Sequence, residues 1–159
     1  MVRLVSLGVG MSSGRRIAGR LVASVGLLLL CAAPASAATG GRPFTLDLTG
    51  ANEVNAQGVP NQGDPDGSGT AELRINPGQG RVCWTIQVAG VDPITAAHIH
   101  VAPATAPGPV VVPLNPYSGG CTDVTRELAK ALIQDPGSYY VNVHNASFPA
   151  GALRAQLDS

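Results

Sequence analysis

The sequence is short of basic residues outside its first 37 positions. The whole chain has ten Lys and Arg residues and ten Asp and Glu residues, but four of the arginines precede position 38. Residues 38–159 therefore carry six basic and ten acidic residues, a net charge of −4. Because nucleic-acid binding depends on clustered Lys and Arg, this balance argues against a nucleic-acid partner.

The sequence also lacks the arrangements that support catalysis. It contains three histidines, and no Ser/His/Asp or Cys/His pattern is placed for nucleophilic attack. No glycine-rich loop precedes a helix, as phosphate binding would require. Asp64 and Asp66 resemble the start of a calcium loop, but the later ligands and the closing glutamate are missing. We interpret this segment as a turn and expect a protein that is not an enzyme.

The apolar run near the start of the chain is too short to cross a membrane. It covers about 13 residues, 21–33, whereas a spanning helix needs about 20. Basic residues precede it and Ala35-Ser36-Ala37 follows it, which is the pattern of a cleaved export signal. We predict that residues 1–37 are a signal peptide, cleaved after Ala37, with translation starting at Met1 or Met11. Residues 38–159 are then one domain that is secreted, periplasmic or associated with the cell wall, without a membrane span.

Cysteine is scarce, and its positions predict one disulfide. Cys31 lies in the predicted signal, which leaves Cys83 and Cys121. In a small exported domain two thiols are more often paired than free, because the compartment is oxidising. A Cys83–Cys121 disulfide would close a loop of about 40 residues and stabilise the fold by about 4 kcal/mol.

Apolar and polar residues alternate with a period of two through most of the predicted domain, which is typical of strands with one buried face. Trp84, for example, occupies an apolar position of such a segment, so we predict that it lies in the core. The predicted strands are 44–49, 71–75, 82–88, 96–101, 110–114, 139–144 and 152–157, separated by clusters of Gly, Pro, Asn and Asp. Residues 122–137 have helical spacing. We predict an all-β fold, an antiparallel β-sandwich or flattened Greek-key barrel of about seven strands with one short helix.

The histidines occupy equivalent positions in two of these strands. Side chains two residues apart in a strand share a face, so His98 and His100 point the same way while Ile99 points into the core. The segment "VNVH" repeats this choice for His144. If the two strands are neighbours, the three imidazoles form one surface-facing patch.

Three neutral imidazoles are a recognised ligand set for copper or zinc, and copper is preferred because imidazole sites bind Cu(II) more tightly than Zn(II). The alternative is that the histidines only form hydrogen bonds with backbone and nearby polar groups such as Asn142. Glu53 is predicted to be a surface charge at a strand end rather than a ligand.

Four segments occur in the order found in a known module. They are "LTGANEVN", "GSGTAELRI", "AAHIHVAPATAPGPVVVPL" and "YYVNVHNASFPAGALRAQL". In these the chain resembles the CHRD domain, first described in chordin and also present singly in exported bacterial proteins. The resemblance covers about residues 43–158 and implies a β-rich extracellular module. The chain departs from the usual family pattern at Ala102, Pro103 and Ala155.

Two functions follow as hypotheses. The first is an exported, non-enzymatic binding or envelope-associated module that contacts an unknown extracytoplasmic protein. The second is a copper-binding protein that uses His98, His100 and His144, with an architecture similar to that of Cu/Zn superoxide dismutase, in which a His-x-His strand is also followed later by a further histidine. The zinc-ligand loop of that enzyme has no counterpart here, so the likeness does not imply dismutase chemistry.

Overall fold

The computed structural model describes residues 40–159, and the predicted signal at residues 1–37 lies outside this range. The described chain forms eight strands and one α-helix, with short 3₁₀ turns at Gly50–Asn52 and Pro136–Ser138. The strands are β1 (Arg42–Thr49), β2 (Ser68–Asn76), β3 (Arg81–Ala89), β4 (Ile94–Val101), β5 (Val110–Pro113), β6 (Gly119–Asp123), β7 (Tyr139–Asn145) and β8 (Leu153–Gln156), and the helix is α1 (Arg126–Gln134). The all-β prediction is confirmed.

All eight strands belong to one antiparallel sheet that curls into a half-barrel. Its order is β5-β4-β7-β8-β1-β2-β3-β6, so the two edge strands are consecutive in the chain and are joined by residues 114–118. Val112 of β5, Thr122 of β6 and Leu128 of α1 line one shared cleft. The two edges of the curled sheet therefore face each other across a gap that the helix borders.

The predicted helix at 122–137 is shorter than its sequence pattern suggests. It begins at Arg126, after Thr125, whose hydroxyl accepts a hydrogen bond from the backbone N–H of Leu128 at 3.1 Å. Residues 119–123 instead form β6, which pairs with β3. The "GGCTD" segment has no apolar alternation, so this strand is determined by its partner strand and not by its own pattern.

The disulfide lies at this pairing. Cys83 and Cys121 are directly opposite each other in β3 and β6, and their sulfurs are bonded. The predicted disulfide is confirmed, and it ties an edge strand of polar and small residues to the body of the sheet.

The inner face of the sheet forms the hydrophobic core. Apolar residues at alternate positions of the strands are buried there together, including Trp84 of β3, Ile99 of β4 and Val143 of β7. Trp84 is 4% exposed, and its indole N–H donates to the carbonyl oxygen of Pro116. Because inner positions carry aliphatic side chains, the intervening residues of β4 and β7 point to the outer face.

Candidate metal centre

The three histidines converge on the outer face of two neighbouring strands. β4 and β7 are adjacent and antiparallel, with His98 opposite Asn142 and His144 opposite Ala96. Strand alternation places His98 and His100 on the same face, and the register brings His144 to that face beside them. The two histidine-bearing strands are therefore neighbours in one sheet, which is the condition that a shared patch requires.

The three rings lie close enough together to be candidate ligands of one metal ion. The ring centroids of His98 and His144 are 5.1 Å apart, those of His98 and His100 5.5 Å, and those of His100 and His144 5.8 Å. One ring nitrogen from each histidine lies within 4.8 Å of the other two. A metal held at about 2.0–2.1 Å from each nitrogen needs the nitrogens roughly 3.3–4.1 Å apart. The rings therefore need to close by on the order of 1 Å to share an ion.

Hydrogen bonds to backbone carbonyls determine which ring nitrogen of His100 and of His144 has a lone pair that could bind a metal. His100 donates from Nδ1 to the carbonyl oxygen of Gly108 at 2.8 Å, and His144 donates from Nδ1 to that of Pro149 at 3.1 Å. A carbonyl oxygen can only accept, so both rings carry their proton on Nδ1 and keep a lone pair on Nε2. Metal-binding histidines are commonly oriented by such a second hydrogen bond.

Each ring has one buried nitrogen with no hydrogen-bond partner among the described residues. These atoms are Nδ1 of His98, Nε2 of His100 and Nε2 of His144. Leaving a buried acceptor unsatisfied costs about 1–3 kcal/mol. The unpartnered atoms of His100 and His144 are those that the carbonyl hydrogen bonds leave with a lone pair.

Burial favours the neutral form of all three imidazoles. It is the main cause that lowers the pKa of His98, His100 and His144 from the usual 6.5. Repulsion between the rings lowers the pKa of His98 and His144 further, whereas the hydrogen bonds to Gly108 and Pro149 oppose the shift for His100 and His144. Neutral imidazole is the form that binds a metal.

The patch is less exposed than the sequence predicts. His100 is only 8% exposed, because the loop of residues 102–109 folds over it and supplies the Gly108 carbonyl. His98 and His144 are half-buried. The predicted surface-facing patch is therefore a partly covered site on the outer face of the sheet. A strand pattern shows which face a side chain takes but not which loop covers that face.

Beside the histidines, the outer face carries a buried polar cluster that sequence reasoning missed. The Tyr140 ring stacks on His100, with centroids 4.9 Å apart and an interplanar angle of 12°. The Arg154 guanidinium lies 3.6 Å from the Tyr140 ring centre. Arg154 also faces Glu53, with 4.0 Å between its NH1 nitrogen and Oε1 of Glu53. The alternation of β7 and β8 put Tyr140 and Arg154 on this face, but no local signal indicated that they are buried.

The expectation that Glu53 is a surface charge is wrong. Glu53 is 2% exposed, and its Oε1 accepts a hydrogen bond from the backbone N–H of Val54. Burial raises the pKa of Glu53, and the Val54 N–H and Arg154 oppose the rise. Glu53 follows the 3₁₀ turn after β1, and this segment packs against β8, where the side chain of Asn52 donates to the carbonyl oxygen of Arg154. Glu53 is therefore an interior residue.

Asp64 does not join a metal site. Its Oδ1 accepts a hydrogen bond from the backbone N–H of Asp66 at 3.2 Å, which is an Asx turn. Among residues 40–159, His98, His100 and His144 form the one group of three or more His, Cys, Asp or Glu residues placed to hold a metal ion. The predicted turn is therefore what the structure has at this segment.

The profile of the CHRD domain matches residues 44–157 of this chain. The chain belongs to the CHRD domain family. The match includes residues of all eight strands and the three histidines. Searches of curated proteins and of solved structures gave no significant match. A CHRD domain is an extracellular type of module, and the disulfide also fits an exported protein. No helix within residues 40–159 is long and apolar enough to span a membrane.

Proposed function

We propose that this CHRD protein is an exported, non-catalytic binding module whose ligand is a copper ion. The protein atoms that bind the copper are Nδ1 of His98, Nε2 of His100 and Nε2 of His144. The observation that carries the proposal is that these three buried nitrogens lack hydrogen-bond partners and belong to rings whose ligand atoms lie within 4.8 Å of one another. A bound cation would satisfy all three atoms at once.

The alternative that the histidines only form hydrogen bonds explains two of their six ring nitrogens. It accounts for Nδ1 of His100 and of His144, which donate to backbone carbonyls. It does not account for the buried nitrogen without a partner in each ring, or for the contact among all three rings. The metal explains both, because the hydrogen bonds orient rings whose free nitrogens then bind the ion.

Copper is favoured over zinc by the ligand set and by the compartment. Affinity for nitrogen ligands rises along the divalent series to a maximum at copper. An exported protein meets metals outside the cytosolic control that withholds copper, so intrinsic affinity decides occupancy. Three protein ligands leave one position for water or an external ligand.

Calorimetric titration of the purified, metal-free protein with Cu(II) tests the proposal. We expect one equivalent bound by the wild type and none bound tightly by His98→Ala or His144→Ala, with Zn(II) binding more weakly than Cu(II). Equal, weak binding by the wild type and both variants would refute the site.

A matched control separates the cluster from the mere number of histidines. Gln87 is exposed on β3, outside the cluster. The double variant His98→Ala/Gln87→His has as many histidines as the wild type, but only two in the cluster. We expect it to bind Cu(II) as weakly as His98→Ala, and restored tight binding would contradict the proposed site.

A further inference from the structure

The buried Arg154 contacts two parts of the protein that touch His100, which are the loop of residues 102–109 and the ring of Tyr140. The side chain is 1% exposed and lies on the outer face of β8, two strands away from β4. Its contacts run to the loop of residues 102–109 and to Tyr140. None of its hydrogen-bond partners is a histidine.

The first connection from Arg154 to His100 passes through the loop of residues 102–109. The NH2 nitrogen of Arg154 donates to the carbonyl oxygens of Pro103 at 2.8 Å and Ala106 at 3.1 Å. Prolines occupy positions 103, 107 and 109, so the loop has few backbone N–H groups with which to stabilise itself. Arg154 therefore adds donors to the few that the loop has, and one of its acceptors, Ala106, lies two residues before Gly108.

The second connection passes through Tyr140. The guanidinium lies against the Tyr140 ring, which stacks on the imidazole of His100. The Tyr140 hydroxyl accepts a hydrogen bond from the backbone N–H of Gly108 at 3.1 Å. The same glycine thus binds Tyr140 through its N–H and His100 through its carbonyl oxygen.

We propose that Arg154 is a positioning residue of the metal site, which holds the 102–109 loop so that the Gly108 carbonyl keeps the His100 proton on Nδ1 and leaves Nε2 to bind the metal. This inference rests on the proposed function for its metal-binding consequence. Its structural part, the control of the His100 tautomer, concerns the metal-free protein.

Glu53 completes the arrangement by balancing the charge of the buried guanidinium. The NH1 nitrogen faces Glu53, while NH2 is used by the loop. A lysine retains the charge but has a single nitrogen in place of this planar set of donors. Arg154→Lys can therefore face Glu53 or the loop carbonyls, but it cannot reproduce all of these contacts.

The test compares the wild type with Arg154→Lys in two measurements. The ¹⁵N chemical shifts of the His100 ring in the metal-free protein report its tautomer, and we expect the Nδ1–H form in the wild type and a mixture in the variant. Cu(II) titration should show affinity weakened 10- to 100-fold, the usual effect of losing support behind a metal ligand. The electron paramagnetic resonance spectrum of the bound copper should also change.

The variant Cys83→Ser/Cys121→Ser is the control for general loss of stability. The disulfide joins β3 to β6 and touches neither the loop nor the histidines. This variant should keep the wild-type tautomer, copper affinity and spectrum although it is less stable. A similar loss of affinity in the control would assign the Arg154 effect to destabilisation and overturn the inference.

A second variant covers the case in which Arg154→Lys does not fold. Glu53→Gln/Arg154→Met removes both buried charges together, so neither is left without its partner, and the same tautomer mixture and loss of affinity are expected. An unchanged tautomer, or a Kd within twofold of the wild type, in the folded variant overturns the inference. If the wild type binds no copper, the proposed function fails, and the tautomer measurement still decides the role of Arg154.

Discussion

His144 of β7 lies beside His98 of β4, with 5.1 Å between the centroids of their rings. The two residues are far apart in the chain, and the antiparallel pairing of their strands brings them together. A third ring, that of His100, is within 5.8 Å of both. This contact makes the outer face of a CHRD sheet a candidate metal site.

Copper binding should persist to a lower pH than for an ordinary imidazole site. Burial lowers the pKa of all three histidines below 6.5, so in the folded protein protons compete with the metal only at more acidic pH. Cu(II) titrations at pH 7, 6 and 5 measure this, and we expect the affinity to fall mainly below pH 6.5. A loss centred above pH 6.5 would contradict the lowering of these pKa values by burial.

The metal-free protein should lose stability on acidification through about pH 6.5. Below this pH the histidines of the unfolded chain become protonated, whereas those of the folded protein, whose pKa is lowered, do not yet do so. The free energy of unfolding therefore falls as the pH falls. Urea unfolding at pH 7.5, 6.5 and 5.5 measures the slope.

A control is needed because Glu53 acts in the opposite direction in the acid range, since its pKa is raised in the folded state. His144→Gln removes one of the lowered histidines and leaves Glu53 in place. We expect a shallower slope in this variant, and an unchanged slope would show that His144 does not contribute.

Loss of the disulfide should lower stability without affecting the site. In the chain-entropy model, Cys83→Ser/Cys121→Ser lowers the free energy of unfolding by up to about 4 kcal/mol, because the unfolded chain is no longer cross-linked across 38 residues. Denaturant unfolding measures the change. A variant as stable as the wild type would refute the predicted contribution.

Gly108→Ala should weaken copper binding. A Cβ at this position would lie 1.9 Å from the carbonyl oxygen of Val101, so the backbone must move and carry the acceptor of His100 with it. Gly119→Ala is the matched control, since its Cβ would come no closer than 3.3 Å to another atom. Copper titration should show at least a tenfold weaker Kd for the first variant alone.

Export should yield a chain that begins at Ala38. The small residues before this position form the expected cleavage site. The intact mass of protein recovered from the medium or periplasm, before and after reduction, tests the cleavage site and the Cys83–Cys121 bond together. A mass that still includes residues 27–30 would contradict the predicted signal.

Much of the fold was predictable from local pattern, and the exceptions have a common cause. Alternation identified every strand except β6. The small and polar residues of β6 form a strand because β3 and the disulfide hold them. The same absence of local pattern led to a predicted helix that started four residues too early. Glu53 was wrongly predicted to be exposed, because a residue at the end of a strand is exposed unless a loop packs over it. The path of a loop leaves no periodic pattern in the sequence.

The sequence by itself determined that His98 and His100 share one face and that His144 occupies an equivalent position in its own strand. These facts follow from the period of two and from the aliphatic residues between them, which are purely local. Tertiary structure alone decided that the two strands are neighbours, that the Gly108 and Pro149 carbonyls orient two of the rings, and that Arg154 and Glu53 are buried together. The physical reason is that strand pairing and loop packing depend on the free energy of the whole sheet, to which residues distant in the chain contribute as much as near ones.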